Sequence, residues 1–524
     1  MFNMLFCLKT NVVLPGNARD SAQNVVILQS KRAAGQPVAL SPQAIRMVIL
    51  LTVLAYFAAL LAYSRLVTRR TDNDTFFRGN RQSPWYLVAF GMVGASISGI
   101  TFVSVPGMVT QTDMTYLQMC LGFVGGYAVV AFGLLPLYYR LRLTTIYAWL
   151  NRRLGPRSYR TGASFFLLSK MTGAAVRFYV VCFILHRYVL QPLGVPFAVT
   201  AVGMVALIWL YTRRGGIRTL VWTDTLQTLC MLTALALIIL HVTAELHLSL
   251  PQAAAAVASD SHSRVFEWSN WVSRQNFWKQ LLSGVFVTIV MTGLDQDMMQ
   301  KNLTCKTLRD AQKDMCCYGL AFVPVNLLFL SLGVLLMMLA HRQGIALPAA
   351  GDELLPLFAA TGRLGTAVTV LFTIGVLAAA FSSADSALTA LTTSFCVDLA
   401  RRPDDERLRR RVHATMAVAF ALLICGFRAV NSTSVLDAIY ILCSYTYGPL
   451  LGLFAYGLLT RQPVADRRVP WICVASPLLC LALDTLTAAT TGYRFGYELL
   501  MLNGALTATL LYLSRPTAAP ARVL

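Results

Sequence analysis

The chain has 524 residues, of which 56% are hydrophobic and only 13% charged, and this excludes an ordinary soluble globular domain. The net charge of +21 would suit nucleic acid, but the basic residues lie in separate clusters between apolar runs, so no nucleic-acid partner is expected. Twelve cysteines without a C-x-x-C pair, and six histidines without ligand spacing, speak against a disulfide framework or a transition-metal centre.

In chain order, residues 1–45 are mixed and weakly basic, with no clean signal peptide. They read as a disordered tail or as sequence ahead of a start near Met47. Thirteen apolar runs follow, near 46–67, 84–110, 114–139, 158–189, 192–212, 217–243, 276–299, 315–342, 364–399, 411–430, 433–460, 469–491 and 497–515. Each is about 20 residues or more, enough to cross a hydrocarbon core roughly 30 Å thick. The spacing predicts an all-α polytopic membrane protein embedded in a lipid bilayer, with no room for a soluble catalytic domain. Arginine and lysine crowd alternate loops: Arg65 to Arg81, Arg140 to Arg160, Arg213 to Arg218, Lys301 to Lys313, Arg401 to Arg411 and Arg461 to Arg468. That alternation places the start of the first helix outside and the C-terminus in the cytoplasm.

Polar groups inside these runs single out candidate sites. The first is "GVLAAAFSSADSALTALTTSFCVDLA" (375–400), where Asp385 lies about 24 Å from the basic end of a straight helix. Ser382, Ser386, Thr389 and Thr393 share one face, and Ser383 lies beside it. Hydroxyls alone would serve as helix–helix contacts; the buried carboxylate points to an ion or proton site. The second is "SPWYLVAFGMVGASISGITFVSVPGMV" (83–109), where Gly91, Gly94, Gly99, Pro106 and Gly107 predict a broken helix with exposed carbonyls lining a cavity. Three further charges are deep: Asp224, Lys170 and Arg177, the last two one above the other at i, i+7. A structural ion pair is expected for Lys170. For Arg177, whose planar fork suits a carboxylate, contact with an anionic substrate is expected.

Four motifs, "RGGIRTLVWTDTLQ", "GLDQDMMQKNL", "AAAFSSADSALTALTTSFCVDL" and "SYTYGPLLGLFAYGLL", in this order and spacing, resemble the sodium:solute symporter family over roughly residues 46–515. The resemblance implies an inverted five-helix-repeat fold with broken core helices. The first repeat would span 84–243 and the second 276–460, with one helix (46–67) before them and two (469–515) after. It implies sodium-coupled import of a small organic solute by alternating access in the bacterial inner membrane, with no organic cofactor and no enzymatic activity. A first sodium site would use the carbonyls of Gly94, Ile97 and Ala379 and the hydroxyls of Ser382 and Ser383. A second, present in some members, would use Asp224, Asp385, Ser386 and again Ser382. Asp385 departs from the family's serine at that position, so either a second sodium binds more strongly or one carboxylate carries a proton. Substrate positions carry over to Ser96, Ser98, Thr101, Gln118, Arg177 and Thr288. This set, together with thirteen helices, is nearest in motif to the sialic acid type, although Arg177 lies about one turn from that type's arginine. Two alternatives stay open: proton coupling through Asp385, and a membrane solute sensor that has lost transport. An Asp224–Asp385 hydrolytic dyad is a third, disfavoured because no motif sets the two on facing catalytic turns.

Overall fold

A computed structural model describes residues 41–67, 73–428 and 435–516. The expectation for residues 1–45, and the basic residues Arg69 and Arg70, lie wholly or mainly outside these. Among the described residues the chain is helical apart from one isolated bridge between Ser83 and Cys305. Nine helices are long and apolar enough to cross a membrane, two bent pairs pass the same test jointly, and two shorter apolar helices, Phe197–Arg213 and Leu499–Leu513, complete the set. Each coincides with one of the thirteen apolar runs. Helices are the natural outcome, because a segment in hydrocarbon must pair every backbone N–H and C=O within itself.

The elements that build the site are α1 (Pro42–Val67), α2 (Trp85–Ser96), α3 (Gly99–Thr112), α4 (Tyr116–Val129), α5 (Pro156–Leu185), α6 (Phe197–Glu245), α7 (Phe277–Thr288), α8 (Gln296–Asn302), α9 (Leu308–Arg342), α10 (Gly365–Ser394), α11 (Glu406–Phe427) and α12 (Val435–Leu459). Two peripheral helices follow, α13 (Val469–Thr491) and α14 (Leu499–Leu513). Of the nine long helices α1 and α13 are the least buried, and α13 presents Trp471, Leu478 and Leu486 outward. Such apolar faces are what lipid requires of a peripheral helix.

At the centre stands α10, in which every residue from Gly375 through Ser394 is buried. None of the hydroxyls in that stretch therefore faces lipid. It packs along α6, α5, α1 and α3. The predicted break in 84–110 is present: α2 and α3 meet at 59° across Ile97 and Ser98. A second break separates α7 and its extension to Gly293 from α8, at 68°. The sequence reading expected a basic loop near Arg213 to Arg218. Instead the helical path runs on through α6 and turns at Gly216, whose φ of +52° is left-handed. A Cβ there would also stand 2.6 Å from the Phe76 ring, so both conformation and space call for glycine.

Candidate functional site

The first break brings α2 against the middle of α10. In a continuous helix the Ser98 N–H would bond the Gly94 carbonyl; here it turns to Ser96 O at 3.1 Å. The Gly94 carbonyl thus loses that donor, and Ile97, with ψ near 86°, leaves the helical path. Ser383 of α10 crosses the gap and donates to the Ala95 carbonyl at 2.8 Å, with its own Ala379 carbonyl 3.3 Å away. The carbonyl reached lies between the two expected ones, Gly94 and Ile97. A hydroxyl and freed carbonyls on facing turns supply the hard, neutral oxygens that a sodium ion prefers. Close packing fixes this approach: a Cβ on Gly94 would fall 1.9 Å from Thr228 Oγ1 of α6.

One turn away, on the side of α6, lies a cluster of buried charge. Ser382 donates to Asp224 Oδ1 at 2.7 Å, and Ser386 stands between Asp224 Oδ2 (3.5 Å) and Asp385 Oδ1 (3.3 Å). Tyr211 donates to Asp385 Oδ2 at 2.6 Å. Ser382, expected in the first sodium site, is thus turned toward the carboxylate of the second. The Lys301 ammonium sits 2.7 Å from Asp224 Oδ2, with both side chains almost fully buried. This residue was read from sequence as the start of a cytoplasmic basic loop. The structure corrects that reading: Lys301 lies in α8, all of whose residues are buried. A buried ammonium needs such a partner, because desolvating it alone costs several kcal/mol, of order 3 at least.

Between the two breaks opens a cleft. Ser96, Arg177, Thr288 and Ser383 line it, beside an apolar wall that includes Phe123, Tyr127, Met291 and Phe322. Ser96 and Tyr318 share a short hydrogen bond, and Tyr127 donates to Tyr318 at 2.6 Å. At the charged end Lys170 bridges Asp295 (3.1 Å) and Asp297 (2.7 Å), and Tyr447 donates to Asp295 at 2.7 Å. The structural ion pair expected for Lys170 is present, with partners the sequence did not name. Arg177 has no carboxylate within ion-pair distance among the described residues.

The structure therefore gathers Ser96, Arg177 and Thr288 around one cleft, with Ser383 on its edge. Ser98, Thr101 and Gln118 do not line it. Ser98 and Thr101 are buried beyond the break, their hydroxyls 3.5 Å apart. Gln118 is committed to the segment ahead of α7: its amide donates to Gln275 O at 2.9 Å and to Thr115 O, and its oxygen accepts from Glu267 N. Its hydrogen-bonding capacity is used within the protein. Residues that the sequence reading missed are Asp295, Asp297, Lys301, Tyr211 and Tyr447. The motif "GLDQDMMQK" carried a signal for three of them, since two acids and a lysine inside one apolar run are costly unless paired.

Comparison with known proteins agrees with this geometry. The sequence profile of the sodium:solute symporter family matches residues 76–462. The sodium/sialic acid symporter SiaT of Proteus mirabilis is 23% identical over 439 residues, covering 80% of this chain and 86% of that protein. The sodium/sialic acid symporter NanT of Aliivibrio fischeri is 24% identical over 433 residues, covering 79% and 83%. Among solved structures, a Na+-coupled sialic acid symporter in a substrate-bound outward-open state superposes with a TM-score of 0.75 at 20% identity, over 91% of this chain and 99% of that one. At that identity the likeness establishes a shared fold.

Proposed function

Because the chain belongs to the sodium:solute symporter family, and is thus a multi-pass transporter coupled to sodium, we propose that its solute is a small organic acid whose carboxylate is held by Arg177. The observation that carries this reading is the state of Arg177. It lines the cleft with Ser96 and Thr288 and, among the described residues, has no carboxylate within ion-pair distance, whereas Lys170 nearby is already paired twice. A guanidinium facing a cavity inside a membrane protein calls for an anion, and its fork fits a carboxylate. A sugar acid such as sialic acid fits the anionic requirement, and the sialic acid relatives support it. The apolar wall of Phe123, Met291 and Phe322 favours a solute with an apolar flank.

Sodium would bind between α2 and α10, at the carbonyls of Gly94, Ile97 and Ala379 with Ser383. The cluster of Asp224, Asp385, Ser382 and Ser386 is the second cation position. Binding at the break holds α2 and α3 in one arrangement, and by linkage the solute raises sodium affinity as much as sodium raises solute affinity. The alternation of basic loops supports an orientation with the N-terminus outside and the C-terminus in the cytoplasm, and the bacterial relatives support an inner-membrane location. Proton coupling is a second reading, favoured by one observation: Ser386 bridges two carboxylates, and the cation within ion-pair distance stands on Asp224 and not on Asp385 among the described residues.

The test is uptake into proteoliposomes under an inward sodium gradient, with sialic acid, short monocarboxylates and neutral sugars compared. The expected result is sodium-dependent uptake of acids only, reduced at least about tenfold in Arg177→Met, the equivalent of about 1.4 kcal/mol. Equal uptake of a neutral sugar by both proteins would contradict the assignment.

A further inference from the structure

We propose that Lys301 and Lys170 form a two-step charge relay that carries the arrival of sodium at Asp224 into the solute cleft. The inference rests on the sodium-coupled reading above and names the residues that do the coupling. Of the oxygens best suited to a second cation, those of Asp224, Ser382 and Ser386, the Asp224 carboxylate already holds an ammonium, with Lys301 Nζ at 2.7 Å. Sodium and an ammonium a few ångströms apart repel in a low-dielectric site, so sodium binds Asp224 as Lys301 leaves it.

Lys301 has somewhere to go. Asp297 lies four residues earlier on α8, hence on the same face one turn away, and its carboxylate acts on Lys301 directly. The ammonium has Asp224 as its one carboxylate within ion-pair distance among the described residues. Asp297 is the residue that now binds Lys170 at 2.7 Å. When Lys301 reaches Asp297, Lys170 keeps only Asp295, whose carboxylate it shares with Tyr447. Lys170 and Arg177 both line the cleft, on one face of α5. The ammonium, left with one carboxylate instead of two, therefore joins Arg177 as a second cation for the solute carboxylate. Charge requires an incoming cation as well. Four buried carboxylates, Asp224, Asp385, Asp295 and Asp297, face two buried lysines.

The test labels Lys170 with pyridoxal 5'-phosphate and borohydride, and Cys443, on the wall of the same cleft, with an anionic thiol reagent. Labelling is read at each site by mass spectrometry in sodium and in choline, alongside binding of radioactive sodium to the same purified protein. The relay predicts that sodium raises Lys170 labelling at least about fivefold while Cys443 labelling changes less than about twofold. Lys301→Met should abolish the sodium response of Lys170. Asp297→Asn should make Lys170 labelling high in both media, and the wild-type comparison decides the matter even if one variant fails to fold. Sodium binding with unchanged Lys170 labelling, or with Lys170 and Cys443 rising together, would overturn the relay and leave the symport reading standing. Absence of sodium binding would remove the symport reading and the relay with it.

Discussion

Ser383 donates one hydroxyl toward two carbonyls, Ala95 on α2 and Ala379 on α10, and so marks the point where the broken helix and α10 share oxygens. Replacing it with alanine removes an oxygen from the proposed sodium position without altering the apolar packing around it. Ser383→Ala should therefore raise the sodium concentration for half-maximal uptake by about tenfold, a loss of about 1.4 kcal/mol, with expression preserved. An unchanged sodium activation curve would move the site elsewhere. Asp385 was legible in the sequence as a buried carboxylate in a membrane helix, because its cost is apparent from residue type alone. Its donor Tyr211 was not, since the two lie 174 positions apart and a tyrosine in an apolar run carries no such cost. Gln118 shows the converse. The resemblance carried it over as a substrate position, whereas its partners here are backbone groups of Thr115, Glu267 and Gln275.

At the scale of elements, the two breaks do most to shape the site. The first was readable from glycine and proline density, and one glycine there has a packing role as well. Gly94 lets α2 lie against α6, where a Cβ would meet Thr228 Oγ1 at 1.9 Å and Thr228 Cβ at 2.8 Å. Gly94→Ala should thus destabilise the protein by about 1–3 kcal/mol, the usual cost of overpacking a tight contact. A lower melting temperature in detergent would be the readout, and an unchanged one would show that α2 and α6 can separate freely. The second break was anticipated, but α8 was not read as part of the membrane interior. Its seven residues are too few to show a hydrophobic period, and its Lys301 and Asn302 run on toward Lys306, so it looked like a loop. Only the fold shows that Asp224, on another helix, compensates that lysine.

Across the described residues, α10 is buried from Gly375 through Ser394 within a set of thirteen apolar helices or helix pairs, and the proposed ion position and the cleft both draw on its Ser383. The length and number of spans were legible because the bilayer fixes both through a simple rule of thickness. The pairing of Lys170 with Asp295 and Asp297 was beyond that rule, since it joins α5 to a break 125 residues later. Sodium coupling is the claim on which the rest depends, and thermal unfolding of the purified protein in sodium against choline tests it most directly. Sodium at ten times its dissociation constant should stabilise the folded state by about 1.4 kcal/mol, and an organic acid should add a further upward shift only when sodium is present. Identical unfolding in both salts, with an acid shifting both alike, would contradict the account.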